Sequence, residues 1–329
     1  MTAIAVLGAG SWGTTLADLL TRKGHAVRLW AHEAEVAAAI NERHLNDLFL
    51  PGCPLSEALR ASAAIADVVA EADHVVCVAP SHVARRVLSA ARPTIRPGAI
   101  LVSATKGIET ETLDLMSDVA GQVLPNHRFV ALSGPSFARE VYHRQPTAVA
   151  AASDDGEAAA TVQQMLSTAT FRVYSNRDVI GTELAGALKN VIAIAAGILD
   201  GLGLGNNSRA ALITRGLAEI SRLGAALGAD PRTFAGLAGM GDLILTTCGA
   251  LSRNRSLGVA IAEGVTLDQH TRDHRSVAEG VNSARAAVRL AARHGVELPI
   301  CEQVHGVLFG GIPPADAIGA LMGRTLKAE

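Results

Sequence analysis

Short apolar runs alternate with amphipathic stretches through the first half of the chain. Runs at 4–7, 27–30, 74–78, 100–103, 129–132 and 148–152 are too short for helices and are bounded by turn residues. Each predicts a buried strand, with a further one near 172–174. Between them, Ala-rich stretches at 33–41 and 82–91 carry apolar residues at helical spacing. Pro97 and Gly98 break the chain before the fourth strand. This alternation predicts βαβ units and a parallel sheet. The pattern changes near 175–181. From Thr182 onward the period is helical: 183–196 and 208–227 predict long helices, and 283–294 and 314–326 predict two more. Asp230 before Pro231 reads as the cap and first-turn proline of another.

The first strand runs directly into Gly8-Ala9-Gly10-Ser11-Trp12-Gly13 and then into a helical stretch. Strand, G-x-G-x-x-G turn and helix start, in that order, are the fingerprint of a dinucleotide site. Gly8 permits the tight turn, Gly10 lets a pyrophosphate approach the backbone, and Gly13 lets helix and strand pack closely. The helix N-terminus offers unpaired N–H groups to the phosphates. A second strand follows, and Glu33 lies 20 residues beyond Gly13. The expected fold is therefore an α/β Rossmann-type N-terminal domain with a parallel-rich sheet over residues 1–180. An all-α C-terminal domain over 181–329 follows it.

Composition narrows the function classes. Of 329 residues, 49% are hydrophobic but only 3% aromatic, which suits close helix packing more than an aromatic-rich sandwich. The net charge of −2 points to no nucleic-acid partner. Cys53, Cys77, Cys248 and Cys301 form no C-x-x-C pair and read as free thiols in a reducing compartment. No basic signal region opens the chain, and the longest apolar stretch, 191–199, is shorter than a membrane span. A cytoplasmic protein without a membrane span is expected. His270 and His274 are four apart but have no surrounding ligand set, so no metal site is expected.

In open α/β sheets ligands sit beyond the carboxyl ends of the strands. The polar residues expected there are Ser81 and His82, Thr105 and Lys106, and the Ser133-Gly134-Pro135-Ser136 turn. Lys189 lies in a helix apolar nearly all round, where an unpaired ammonium is costly. Such a lysine has an anionic partner or a function. Burial favours its neutral form, moving it toward what a general acid near neutrality requires. Asp242, in a Gly-rich turn, could be that partner or simply a helix cap. Ser252-Arg253-Asn254-Arg255 could grip a phosphate or form a solvated charge run. The residues alone leave these alternatives open.

Taken together, the motifs resemble the bacterial-type NAD(P)+-dependent glycerol-3-phosphate dehydrogenases from the first strand to the C-terminal region. The segments are GAGSWGTTLA (8–17), NERHLNDLFLPG (41–52), APSH (79–82), ATKGIE (104–109) and LSGPSFAREV (132–141). ELAGALKN (183–190), GLAGMGDLILTTC (236–248), LSRNRSLG (251–258) and SVAEGV (276–281) follow. The lysine, AGMGDL and SRNR blocks in this order are the discriminating part. The resemblance implies reversible reduction of dihydroxyacetone phosphate to sn-glycerol 3-phosphate, with the active site between two domains and a role in glycerophospholipid supply.

It also implies residue roles. Lys189 would be the proton donor and acceptor, with Asp242 as its charged partner. Lys106, Gly134 and Ser136 would contact substrate. Ser252, Arg253 and Asn254 would hold its phosphate, with Asn190 and Thr246 near its hydroxyls. Gly8, Gly10, Ser11, Trp12, Gly13, His32, Lys106, Ala138, Arg253, Val277 and Glu279 would contact NADPH or NADH. Family members often carry an arginine where this chain has His32, which suits NADP, whereas Glu33 favours the free ribose hydroxyl of NAD. The Cys-Gly-Ala-Leu stretch at 248–251 departs from the Cys-Thr-Ser run the family leads one to expect. Two other readings are a different two-domain hydroxyacid or sugar-acid dehydrogenase and a non-catalytic NAD(P)-binding sensor. The first would not need residues 252–255; the second would not need Lys189 or Asp242. The Ala/Gly-rich helical half could supply a homodimer interface.

Overall fold

The computed structural model describes residues 2–273 and 278–326. Its first part is an eight-stranded sheet: β1 (Ala3–Leu7), β2 (Ala26–Trp30), β3 (Arg60–Ser62), β4 (His74–Cys77), β5 (Ile100–Ser103), β6 (Phe129–Ser133), β7 (Thr147–Ala152) and β8 (Phe171–Asn176). The spatial order is β3-β2-β1-β4-β5-β6-β7-β8, parallel throughout except between β6 and β7. The sequence anticipates seven of these strands. It misses β3, whose three residues, Arg-Ala-Ser, carry no apolar pattern and pair only along Arg28–Trp30 at the sheet edge.

Alternation along β1 shows why the sheet needs cover on both faces. Ile4 and Val6 pack in one core layer with Leu16, Leu20 and Leu29. Ala5 and Leu7 enter the opposite layer with Val75, Cys77 and Leu88. The chain order reverses direction between β1 and β4, so the switch point where such sheets bind ligands falls at the end of β1.

The second part is helical. Its central element, Val179–Gly201, starts earlier and ends later than the sequence pattern predicts. Residues 184, 185, 187, 188 and 191–194 are all buried, so this helix is an internal rod. It is long and apolar enough to span a membrane by composition, but 89% of its most apolar window is buried inside the protein. Helices Asn206–Ala226, Arg253–Ala262, Glu279–His294, Pro299–Phe309 and Pro314–Met322 follow it along the chain. Asp230 caps Pro231–Phe234 through the Arg232 N–H, as the Asp-Pro pair predicts.

Contacts divide the chain into two compact units. One comprises the chain through Lys106 plus Asp114–Glu183; the other comprises Gly107–Leu113 plus the chain from Leu184 on. The break therefore falls inside the long central helix, and the short segment after Lys106 belongs with the helical unit. Within that unit Arg289 donates to Thr110 O and Arg293 to Thr112 O, which ties the segment down.

Candidate active site

In the sheet unit, the glycine turn joins β1 to the helix Ser11–Arg22. Gly8 has φ of +117°, and a Cβ at Gly13 would stand 1.9 Å from Gly8 O. Both positions therefore need glycine for the turn itself. Gly10 differs: a Cβ there would meet no protein atom within 4 Å. Nothing in the fold demands a glycine at that point, and the open space beside the helix N-terminus fits a pyrophosphate. Ser11 Oγ donates to Phe49 O at 2.6 Å. Trp12 packs on the core, with its ring 6.3 Å from that of Phe171. Thr15 Oγ1 donates to Ala138 O, which brings the 138 position beside the same helix.

Sequence reasoning assigns no role to Asn46, yet it braces the nucleotide turn. Its buried amide donates to Ala9 O and to Thr14 Oγ1, each at 2.8 Å. The signal was its place inside the 41–52 block. At the end of β2, His32 is exposed and rests near Trp30, with ring centroids 6.0 Å apart. Glu33 precedes the helix Ala34–Arg43 with extended backbone, but its carboxylate caps nothing. Both residues lie just after β2, the place where dinucleotide-binding folds carry the residue that reads the ribose.

The turns after β4, β5 and β6 are tied to one another. Thr105 Oγ1 donates to Ala79 O at 2.8 Å. Lys106 Nζ donates to Gly134 O at 3.0 Å, and Ser136 Oγ donates to the same carbonyl. Lys106, Gly134 and Ser136, scattered over 30 positions in sequence, thus form one cluster.

In the helical unit, Lys189 is 6% and Asp242 1% exposed. Lys189 Nζ donates to Asp242 Oδ1 at 2.8 Å and to Thr246 Oγ1 at 2.7 Å. Thr246 in turn donates to Asp242 O. Asp242 is therefore the partner of Lys189 and not a helix cap; it opens the helix Asp242–Cys248 directly after a single π turn, Leu237–Gly241.

Beside this network, Asn254 Nδ2 donates to Asn190 Oδ1 and Asn254 Oδ1 accepts from Gly280 N, each at 2.9 Å. Ser252 caps the helix Arg253–Ala262 by accepting from Arg255 N. The SRNR run is thus no solvated charge run: Ser252 and Asn254 are buried, and Arg255 is paired with Asp200. Arg253 alone is exposed and makes no hydrogen bond among the described residues. Enough protein surrounds it that desolvation lowers its pKa, offset in part by Glu279, which raises it. A guanidinium at a helix N-terminus, with no hydrogen bond among the described residues, is suited to an oxyanion.

What holds this helix against the central one is a crossing of glycines. A Cβ at Gly197 would lie 1.9 Å from Arg255 O, and one at Gly258 would lie 2.1 Å from Ile194 O. Backbone touches backbone there, and Asn254, one turn before Gly258, meets Asn190, the residue after Lys189. Of the residues named from the sequence, Val277 and His274 lie outside the described residues; Glu279 opens the helix Glu279–His294.

Comparison with known proteins follows the same division. Residues 3–159 match the family described as NAD-dependent glycerol-3-phosphate dehydrogenase N-terminus, and residues 178–319 match its C-terminus. A glycerol-3-phosphate dehydrogenase [NAD(P)+] of Geobacter sulfurreducens is 55% identical, over 99% of this chain and 98% of that protein. A crystal structure of glycerol-3-phosphate dehydrogenase from Coxiella burnetii superposes with a TM-score of 0.95 at 39% identity, covering 98% of this chain and 99% of that one. The Saccharomyces cerevisiae enzyme of the same name gives 0.82 at 27% identity, covering 97% and 98%. With both halves matched in order and the lysine, aspartate and SRNR elements assembled as described, the chain belongs to the NAD-dependent glycerol-3-phosphate dehydrogenase family.

Proposed function

We propose that this chain catalyses the reversible NAD(P)H-dependent reduction of dihydroxyacetone phosphate to sn-glycerol 3-phosphate, the backbone of glycerophospholipids. The observation that carries this reading is the buried Lys189–Asp242–Thr246 network, with the exposed Arg253 on a helix fixed to the lysine's own. Residues 1–180 hold most of the dinucleotide and 181–329 most of the substrate, in the cytoplasm. The Ala/Gly-rich helices supply a homodimer contact.

When bound, the nicotinamide cofactor supplies or accepts the hydride. Gly8, Gly10, Ser11, Trp12 and Gly13 would hold its pyrophosphate side, and His32 its adenosine ribose. Lys106, Ala138, Arg253, Val277 and Glu279 complete that site. Lys189 stabilises negative charge on the substrate's carbonyl oxygen and delivers the proton there. Asp242 and Thr246 fix the ammonium in place. Arg253, the Ser252 hydroxyl and the Asn254 side of the first helical turn hold the phosphate. Asn190, Lys106, Gly134 and Ser136 orient the rest of the molecule. A remote phosphate clamp contributes to rate by orientation, up to about 7–11 kcal/mol in well-fixed systems.

Initial rates of NADPH and NADH oxidation with dihydroxyacetone phosphate test the reading. Saturable turnover is expected, and the two kcat/KM values will say whether His32 or Glu33 governs the choice of cofactor. Absence of turnover with either cofactor, in folded protein that binds nucleotide, would overturn the substrate assignment.

A further inference from the structure

Arg255 is held at three points. Its N–H reaches the Ser252 hydroxyl at 3.2 Å. Its carbonyl lies against Gly197, where no side chain fits. Its Nε donates to Asp200 Oδ2 at 2.6 Å, and the other oxygen of Asp200 accepts from Arg209 of the helix Asn206–Ala226. Asp200 and Gly197 are three apart on the central helix and so share a face. Asn190, which receives Asn254, lies two turns earlier on the same stripe.

The first turn of the helix Arg253–Ala262 is therefore clamped to the central helix through Asn254 and Arg255, the two residues that follow Arg253. Among the described residues Arg253 has no hydrogen bond to fix it. The direction of its side chain and of the free N–H groups at the helix start depends on how that turn is seated. Asp200 and Arg255 are only partly exposed, at 11% and 24% of their side chains, so their pair is shielded enough to hold one geometry.

We infer that Asp200 and Arg255 are positioning residues for phosphate recognition. Asp200 seats Arg255, and Arg255 seats the turn that presents Arg253 to the phosphate. Neither touches the reacting carbonyl. Their effect falls on phosphorylated substrate and spares the proton-transfer step. This inference rests on the phosphate reading of Arg253 given above.

The test compares dihydroxyacetone phosphate with dihydroxyacetone, using wild-type protein, Asp200→Asn and Arg255→Lys. Asp200→Asn is expected to raise the KM for dihydroxyacetone phosphate about tenfold or more. The kcat should fall by less than the KM rises, and kcat/KM for dihydroxyacetone should change far less than kcat/KM for its phosphate. Arg255→Lys, which keeps the charge but loses the Nε geometry, should move the same parameter in the same direction. The sign of the change is diagnostic. Removing a negative charge near a phosphate site would by field alone tighten phosphate binding. A lowered or unchanged KM for dihydroxyacetone phosphate in Asp200→Asn would therefore overturn the positioning role. A parallel loss with both substrates would do the same, by showing a general structural effect. Wild-type protein that uses dihydroxyacetone as well as its phosphate would overturn the phosphate reading itself, and this inference with it.

Discussion

Lys189 Nζ stands 2.8 Å from Asp242 Oδ1, with the two side chains 7% and 1% exposed. A pair this buried returns little net stability, because desolvating both charges offsets their attraction. Removing one partner is a different matter, since it strands the other. Lys189→Met should therefore cost about 3–5 kcal/mol of stability. The double variant Lys189→Met/Asp242→Leu should recover most of that loss. Both should lose kcat by about 10²–10⁴-fold, the scale of a missing general acid. Denaturant unfolding read beside steady-state rates separates the two effects. A double variant that is stable and still turns over at the wild-type rate would end the acid–base assignment.

Arg253 is exposed and makes no hydrogen bond among the described residues, so its removal strands no buried charge. Arg253→Ala should leave the melting temperature nearly unchanged. A charge-assisted hydrogen bond is worth about 1.5–3 kcal/mol, so kcat/KM for dihydroxyacetone phosphate should fall by roughly 10–100-fold. Part of the loss should appear in kcat, because binding energy from the phosphate also orients the carbonyl. Unchanged kcat/KM would remove Arg253 from the phosphate site.

Glu183 is buried where the central helix begins. Both of its oxygens engage Ser117, one accepting from the backbone N–H at 3.0 Å and the other from the hydroxyl at 2.5 Å. Burial outweighs these bonds and pushes its pKa up to about 8. The folded state thus holds a proton that the unfolded state releases near pH 4.5. Between those values the native protein binds more protons, so stability is full at the acid end and declines as pH rises through about 8. One such proton gives a slope of about 1.4 kcal/mol per pH unit. Glu183→Gln keeps both contacts without the titration. Its stability relative to wild type should rise from pH 6 to pH 9, as urea midpoints would show. Parallel pH profiles for the two proteins would place the proton elsewhere.

Much of this was legible in the chain because periodicity and glycine spacing are local signals. The strand at Ile100–Ser103 is a continuous apolar run, and the Gly8, Gly10, Gly13 spacing carries its own geometry. The edge strand Arg60–Ser62 was not legible, since it is defined by pairing with β2 and buries no apolar face. At the site, Lys189 announces itself as a charge in an apolar helix, but its choice of Asp242 spans 53 positions and only tertiary contact decides it. Asn46 was hidden for a similar reason. An asparagine in a polar stretch looks like surface until its amide is found on Ala9 O.

The glycine crossing between the central helix and Arg253–Ala262 sets two opposing magnitudes against each other. Gly to Ala inside a helix favours folding by about 1 kcal/mol through propensity. At Gly197 the new Cβ would stand 1.9 Å from Arg255 O, a distance that forces the helices apart. Overpacking of this kind costs about 1–3 kcal/mol or more. The steric cost should win, so Gly197→Ala should be destabilised. Displacement of the 252–255 turn should also raise the KM for dihydroxyacetone phosphate. Gly121 is the control, because it lies within the helix Met116–Val123 and a Cβ there meets nothing within 4 Å. Gly121→Ala should gain stability by about 0.5–1 kcal/mol and leave KM unchanged. Thermal melts and substrate saturation curves on the two variants decide the matter. If Gly197→Ala behaves like Gly121→Ala, close helix contact is not what seats the phosphate-binding turn.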